Sequence, residues 1–189
     1  MIKWILISLA VVASADLQGQ GSLEFRSQNY IGLLEGDNGS AFQFNTINGV
    51  QKGTWFAGLG TGFDWYLYRS VPLFLSVNKD WKPSNRTFFF SVDGGVNFPW
   101  IKDEPQRTPW DDFITDEFKA GYFWGAGLGY KAGFKNKKDA LVLNLGYSFK
   151  QLKEERTVPM PCISPPCPTS TDRYNYKTNR VSVRLGWQF

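Results

Sequence analysis

The sequence predicts an all-β fold, an eight-stranded antiparallel up-and-down transmembrane β-barrel. Three observations lead to this prediction. Apolar and polar residues alternate with a period of two from residue 23 onward, and convincing helical periodicity is absent. One set of connections is uniformly short, whereas the alternate set includes long loops. The less apolar face of the segments carries many glycines and few large charged side chains.

Residues 1–15 predict a cleaved export signal. Lys3 precedes the apolar stretch Trp4–Val12, and Ala13-Ser14-Ala15 supplies the small residues that a signal peptidase reads. The apolar stretch is too short to span a bilayer as a helix. We therefore expect a signal peptide at 1–15, a short periplasmic segment at 16–22 and a barrel at 23–189.

The composition excludes several function classes. The 189 residues suit one domain and include no histidine, which excludes Ser-His-Asp and Cys-His mechanisms and histidine-ligated zinc or haem. The net charge of +4 is too small to indicate a nucleic-acid partner. We expect no cofactor and no metal.

Eight alternating segments are long enough to cross a bilayer when tilted. They are 23–34, 41–50, 55–67, 72–81, 87–98, 121–133, 141–150 and a last segment that follows the loop 151–175 and includes 181–189. The last one alternates most clearly, with Val181, Val183, Leu185, Trp187 and Phe189 on one face.

The connections divide between the two ends of such a meander. Short turns at 51–54, 82–86 and 135–139 share one end. The other end receives 35–40, 68–71 and two long loops, 99–120 and 151–175. Outer-membrane barrels have short periplasmic turns and longer outer loops. The pattern therefore predicts the outer membrane of a Gram-negative bacterium, with both termini periplasmic.

A soluble barrel such as a lipocalin would also alternate, but with its apolar face inward. Aromatic residues near the strand ends favour the membrane alternative, because such rings gain from lying at headgroup depth. The expected periplasmic group is Trp55, Trp81, Phe134, Trp187 and Phe189. The expected outer group is Trp65, Tyr122, Trp124, Phe149 and Tyr176.

An eight-stranded barrel is only wide enough for its own side chains, so a wide pore is not expected. Charges confined there would be costly unless paired. We therefore predict an interior polar network formed by Glu24, Arg26, Asp64, Asp93, Lys131 and Arg184.

The two cysteines, Cys162 and Cys167, lie close together in CISPPC. An even number of cysteines in an exported chain indicates a disulfide. Two thiolates without a histidine would make a poor zinc site. The disulfide would brace one outward-facing loop rather than the fold.

Several motifs resemble those of the small outer-membrane β-barrel proteins of Bacteroidetes-type bacteria. They are FNTINGVQKGTWFAGLGTGFDW at 44–65, VPLFLSV at 71–77, FFSVDGGVNF at 89–98, GYFWGAGLGYK at 121–131, ALVLNLGYSF at 140–149 and VSVRLGWQF at 181–189. The resemblance spans essentially the whole mature chain. It implies an outer-membrane β-barrel domain and carries no catalytic residues.

The resemblance also implies that the C-terminal strand is read by the barrel-assembly machinery. The expected signal consists of Val181, Val183, Leu185, Trp187 and the terminal Phe189. An unpaired terminal strand can pair with another sheet edge during insertion.

Three functions remain open from the sequence. The first is a non-enzymatic barrel with a structural, accessory or surface role, in which a protein or glycan partner contacts loops 99–120 and 151–175. The second is an enzyme acting on membrane lipid, which no Gly-x-Ser-x-Gly or Ser-x-x-Lys motif supports. The third is passage of a small apolar ligand through a wall thinned by glycines such as Gly58, Gly60 and Gly62, although glycine also serves curvature.

Overall fold

A computed structural model describes residues 22–100, 115–134, 139–160 and 168–189. These ranges contain nine β-strands. They are β1 (Glu24–Gly36), β2 (Gly39–Lys52), β3 (Trp55–Asp64), β4 (Ser70–Trp81), β5 (Thr87–Pro99), β6 (Thr115–Lys119), β7 (Gly121–Gly133), β8 (Ala140–Pro159) and β9 (Thr169–Gln188). Within the same ranges, no helix has the length and apolar character needed to cross a membrane.

Eight of these strands close into an antiparallel ring, which we call the barrel. Strands β1 to β5 pair consecutively, β5 pairs with β7, and β7 pairs with β8. Strand β9 closes the ring because it pairs with both β8 and β1. The short β6 lies outside the ring and pairs with the far part of β8.

The ring is staggered. Following the paired residues once around from Glu24 returns to β1 at Leu34, ten residues further along the strand. The intermediate steps are Gln51, Phe56, Asn78, Ser91, Gly127, Gly146 and Ser182. A stagger of this size in eight strands corresponds to a tilt of roughly 40° from the barrel axis, which is typical of closed barrels.

Two tight turns set the register of the first three strands. Gly36 pairs with Gly39, so two residues connect β1 to β2, and Gly39 has a φ of +88°. Lys52 pairs with Trp55, and Gly53 in that turn has a φ of +62°. Only glycine adopts this backbone conformation without strain. We call the end with the connections after β2, β4 and β7 the turn end, and the opposite end the loop end.

The predicted loop at 151–175 is wrong for most of its length. Strand β8 continues to Pro159 and β9 begins at Thr169, so the two strands form a long hairpin beyond the ring. Strand β6, inside the predicted loop 99–120, adds a third strand. Most side chains here are polar, and only a few inward ones such as Leu152 and Tyr176 are not, which weakens the alternation that reveals a strand in a sequence. Residues 115–119, 151–159 and 169–177 are called the extension.

The predicted third strand, 55–67, is also too long, because β3 ends at Asp64. Leu67 has a φ of +61°, which a β-strand does not accommodate. Residues 65–69 therefore form the β3–β4 connection at the loop end.

Candidate functional site: the outward belt and the filled interior

The outward face of the barrel is apolar over most of its area. Large apolar side chains there are highly exposed, as in Leu75 (64% exposed) and Leu128 (68% exposed). Other exposed members are Ile31, Leu33, Val50, Leu59, Leu73, Val77, Phe90, Val92, Val96, Leu141, Leu143, Leu145, Val181, Val183 and Leu185. We call this surface the belt. A soluble barrel would turn these side chains inward.

Aromatic side chains border the belt at the turn end. Trp81 contacts Phe88, Phe88 contacts Tyr130, and Phe134 contacts Trp187, with ring centroids 5.3–6.3 Å apart. Lys79 points outward at the same level, with its Nζ atom 4.2 Å from the centroid of the Trp55 ring. A lysine whose ammonium lies over an aromatic ring near the strand ends is typical of a membrane interface.

A second aromatic group borders the belt at the loop end. Phe63 contacts Trp65 and Trp100, and Trp124 contacts Tyr147 and Phe149, with centroids 5.4–6.1 Å apart. Tyr122 is 68% exposed in the same region. Tyr176, which was expected in this group, packs instead against Tyr68 and Tyr174 in the extension. The long hairpin carries it beyond the ring.

The belt ends sharply on the long hairpin. On β8 the outward residues are apolar up to Phe149, and Lys153 and Glu155 follow. On β9 the outward residues are Arg173, Asn175, Lys177 and Asn179 before the apolar series begins at Val181. The change from apolar to polar outward side chains occurs at neighbouring positions on β8 and β9, because Phe149 pairs with Asn179.

The interior contains charged residues in three clusters. In the middle of the barrel, Arg184 donates to Asp93 at 3.1 Å and to Asn144 at 2.8 Å. Asn144 in turn donates to Ser91 at 3.1 Å. Asp93 and Arg184, both members of the predicted network, are therefore brought together and almost completely buried.

A second cluster lies near the loop end. Asp64 forms ion pairs with Arg180 and with Lys150, the latter at 3.4 Å. Lys150 also donates to the backbone carbonyls of Tyr66 at 2.9 Å and Tyr68 at 2.8 Å. Arg180 and Lys150 are missing from the predicted network, although both occupy inward positions in the alternation of their strands.

The third cluster lies at the turn end. Lys131 pairs with Asp80 at 2.7 Å, and both side chains are buried. Arg26 pairs with Glu24 at 2.5 Å, but half of the Glu24 side chain is exposed, so this residue lies at the rim rather than in the interior. Asp80 is a partner that the predicted network lacks. The six predicted residues are thus divided among separate clusters.

Aromatic and aliphatic side chains fill much of the remaining interior, where the sequence had indicated mainly polar groups. The buried apolar cluster consists of Tyr30, Ile47, Phe56, Phe74, Phe89, Phe123, Ala140 and Val142. The gap next to it, between Tyr30, Asn78, Asp93 and Arg184, is too small for a water molecule. Glycines in the wall make room for these rings, because a Cβ atom on Gly60 would overlap the Phe74 ring.

The loop end of the barrel is covered by residues of the β3–β4 connection and the extension. Tyr66 and Leu152 are each 1% exposed. Tyr68 contacts Phe118 and Tyr176 with centroids 5.3 Å apart. Tyr176 donates to Glu154 at 2.7 Å, and its partial burial together with this bond raises the pKa of its hydroxyl. The arrangement closes this end with side chains.

The outward face of the extension carries charges. Lys119 donates to Glu155 at 2.5 Å, and Arg173 lies 3.4 Å from the same carboxylate. The hydrogen bond raises the pKa of Lys119 and lowers the pKa of Glu155. This face is therefore suited to water rather than lipid.

The five predicted assembly residues, Val181, Val183, Leu185, Trp187 and Phe189, all lie on the outward face of the closing strand and its last residue. The predicted disulfide between Cys162 and Cys167 lies outside the described residues, as do the signal peptide 1–15 and most of the loop 99–120.

Comparison with known proteins identifies a similar fold. The chain is similar to the crystal structure of the outer membrane protein OprG from Pseudomonas aeruginosa, with a TM-score of 0.56 and 14% sequence identity. The similarity covers 92% of this chain and 99% of that chain. No protein-family model and no curated protein matches the sequence. At this identity the likeness shows a shared barrel fold.

Proposed function

We propose that this chain is an integral outer-membrane protein of a Gram-negative bacterium, an eight-stranded transmembrane barrel without enzymatic activity. The observation that carries the proposal is the belt: leucines and valines face outward, whereas Asp64, Asp93 and Arg184 face inward and are paired. Water would favour the opposite arrangement, since exposed apolar surface costs free energy there. OprG, which shares the fold, is an outer membrane protein.

The dimensions of the belt support this proposal. The outward residues of β4 run from Val71 to Trp81 and are apolar apart from Lys79, and those at the end of β9 run from Val181 to Trp187 and are followed by Phe189. A tilted strand of about 9–11 residues spans the hydrocarbon of a bilayer. Aromatic side chains border both ends, as expected of interfacial girdles.

We place the loop end on the cell surface and both termini in the periplasm. The extension projects polar strands beyond the belt at the loop end, whereas the turn end has short connections such as Gly53-Thr54. Long outer loops and short periplasmic turns are the usual arrangement in outer-membrane barrels.

We propose that the role of the protein resides at this loop end, as a structural, accessory or surface-interaction role. The charged face around Lys119, Glu155 and Arg173 offers a contact surface for a protein or glycan partner. The aromatic C-terminus, Phe189, is proposed as a signal for the barrel-assembly machinery. We also propose that the chain is related to the small barrel proteins of Bacteroidetes-type bacteria, which only the resemblance of the sequence motifs supports.

Passage of an apolar ligand through the wall is less well supported. The proposed thin site at Gly58, Gly60 and Gly62 is continuously paired with β2, and the Phe74 ring fills the space next to Gly60. The glycines therefore accommodate interior packing.

Electrophoresis of the purified protein tests the barrel in the membrane. Unboiled protein should migrate differently from boiled protein, because a detergent-resistant barrel stays folded. Equal mobility, together with recovery of the chain in the soluble fraction of cells, would contradict the proposal.

A substitution in the belt tests the lipid-facing surface directly. Leu75→Arg places a charge in the middle of the belt and should destabilise the protein by about 2–4 kcal/mol in lipid vesicles. The matched control is Thr169→Arg, which is exposed on the extension and should have little effect. Denaturant unfolding in vesicles measures both, and equal effects would argue against the belt.

Labelling of intact cells tests the orientation. In a Cys162→Ser, Cys167→Ser background, a cysteine at Asn175 should react with a membrane-impermeant maleimide. A cysteine at Lys82, in the short β4–β5 connection, should react only after the cells are broken. The reverse result would invert the topology.

A further inference from the structure

A group of polar side chains interrupts the belt on three neighbouring strands. Its members are Ser27 and Asn29 on β1, Thr46 and Asn48 on β2, and Thr61 on β3. Asn48 and Thr61 are exposed and Asn29 and Thr46 are half-buried, whereas Ser27 is buried at the edge of the group. The register makes them contiguous, since Asn29 pairs with Thr46, Ser27 pairs with Asn48, and Thr46 pairs with Thr61. We call this group the polar patch.

The polar patch lies in the middle of the outward rows rather than at their ends. On β1 it is preceded by Phe25 and followed by Ile31, and on β2 it lies between Phe44 and Val50. At corresponding positions around the rest of the ring, the outward residues are apolar. They include Leu75, Val77, Phe90, Val92, Ala126, Leu128, Leu143, Leu145, Val183 and Leu185.

Most of the hydrogen-bonding capacity of the polar patch is unused. Asn29 donates to Ser27 at 3.4 Å, which is a long bond. In the part of the chain that the structure describes, the side chains of Thr46, Asn48 and Thr61 make no hydrogen bond. Lipid tails offer no donors or acceptors, so exposure of these groups at this depth costs free energy.

We propose that the polar patch is the interface through which two copies of this chain associate in the membrane; the inference rests on the proposed function. Each amide and hydroxyl both donates and accepts hydrogen bonds, so the patch is complementary to itself. Hydrogen bonds between protein surfaces would replace those that lipid cannot provide.

The geometry also sets the number of copies at two. The patch is uncharged and occupies one side of the barrel, and the described outward positions at its level on β4, β5, β7, β8 and β9 are apolar. A contact that joins the same patch on both partners is closed by a twofold axis and leaves no patch for a third copy.

Sedimentation of the full-length protein in density-matched detergent tests the interface. The wild type should form dimers. Replacement of both amides, Asn29→Leu with Asn48→Leu, should raise the dimer dissociation constant at least tenfold. The matched control is Leu128→Ala, an outward position on β7 across the ring, and it should leave the constant unchanged.

Cross-linking in native membranes gives a second readout. In the Cys162→Ser, Cys167→Ser background, Asn48→Cys should yield disulfide-linked dimers upon oxidation and Leu128→Cys should not. A wild type that is monomeric, a double variant that dimerises normally, or equal cross-linking at both positions would overturn the proposal.

The outcome is separable from that of the proposed function. A chain that is monomeric but fractionates with the outer membrane and migrates as a heat-modifiable band would refute the dimer and leave the membrane barrel intact. A chain that is soluble without detergent would refute both.

Discussion

At the residue scale, the stability of the interior depends on which charges meet. Arg184 is held by Asp93 and Asn144 with no room for water beside them. A buried ion pair contributes little net stability compared with apolar packing, but removal of one partner leaves an uncompensated charge. The pairing explains how an eight-stranded barrel tolerates charges that a membrane protein would otherwise avoid.

Asp93→Asn should therefore be strongly destabilising. The substitution keeps the shape of the side chain but leaves the Arg184 guanidinium without a counter-charge, and we expect a loss of about 3 kcal/mol. Denaturant unfolding in lipid vesicles would measure it.

The control for this prediction is Glu155→Gln, which removes a carboxylate charge from the ion pairs with Lys119 and Arg173 on the exposed face of the extension. Exposed ion pairs contribute less than about 1 kcal/mol. Comparable losses in both variants would show that Asp93 and Arg184 do not depend on each other in the way the geometry indicates.

At the element scale, the chain passes from the barrel into the extension through a β-bulge. Lys119 pairs with Lys153, and Phe123 pairs with Lys150. Three residues separate Lys119 from Phe123, whereas only two separate Lys150 from Lys153 on β8. This β-bulge lets two consecutive strands follow one partner from the barrel into the extension. The elements thus change from lipid-facing to water-facing along one hairpin.

Gly60→Ala tests the close approach of wall and interior. Its Cβ atom would overlap the Phe74 ring, so we expect a loss of about 1–3 kcal/mol in unfolding free energy. The second substitution Phe74→Leu should recover part of this loss by vacating the space. Gly94→Ala is the control, since nothing lies within 4 Å of its Cβ position, and it should be neutral.

The extension should respond to pH through Lys119 and Glu155. The pKa of Glu155 is lowered, so its contribution is present above the ordinary carboxyl value and is lost as pH falls through the lowered pKa. The pKa of Lys119 is raised, so its contribution is lost only as pH rises through that value. The pair is therefore intact at neutral pH.

An NMR titration of the Glu155 carboxyl carbon measures this effect. Its midpoint should lie below that of an ordinary glutamate, and Lys119→Met should move it upward, while Arg173 retains part of the shift. An unchanged midpoint in the variant would show that the hydrogen bond does not govern Glu155.

At the scale of the whole molecule, the ring of strands is closed and its interior is filled with side chains. The same stagger that closes eight strands makes a narrow interior, and Phe74, Phe89 and Phe123 occupy it with the ion pairs. The barrel therefore has no open path along its axis among the residues that the structure describes.

We expect that liposomes containing the purified protein are no more permeable to small sugars than empty liposomes. A swelling assay with sugars of increasing size measures this directly. Rapid uptake of a sugar would require the Arg180, Asp64 and Lys150 cluster and the side chains above it to move aside, contrary to the packing seen here.

The alternation of residues was sufficient to predict the strands of the barrel, because lipid and interior impose opposite demands on neighbouring side chains. It predicted the outward residues at the end of β9 and the inward placement of Asp93 and Arg184. It failed in the extension, where the outward side chains are polar and many inward ones are polar too, so that little contrast in polarity marks a strand.

The sequence by itself determined which face of each barrel strand is apolar, since every second residue of the strand belongs to that face. Which charges pair was decided only by the tertiary structure. Asp64 meets Arg180 across 116 positions of sequence, and Lys131 meets Asp80 rather than another predicted member of the network. Such contacts depend on the stagger of the closed ring, and the stagger is a property of all eight strands together.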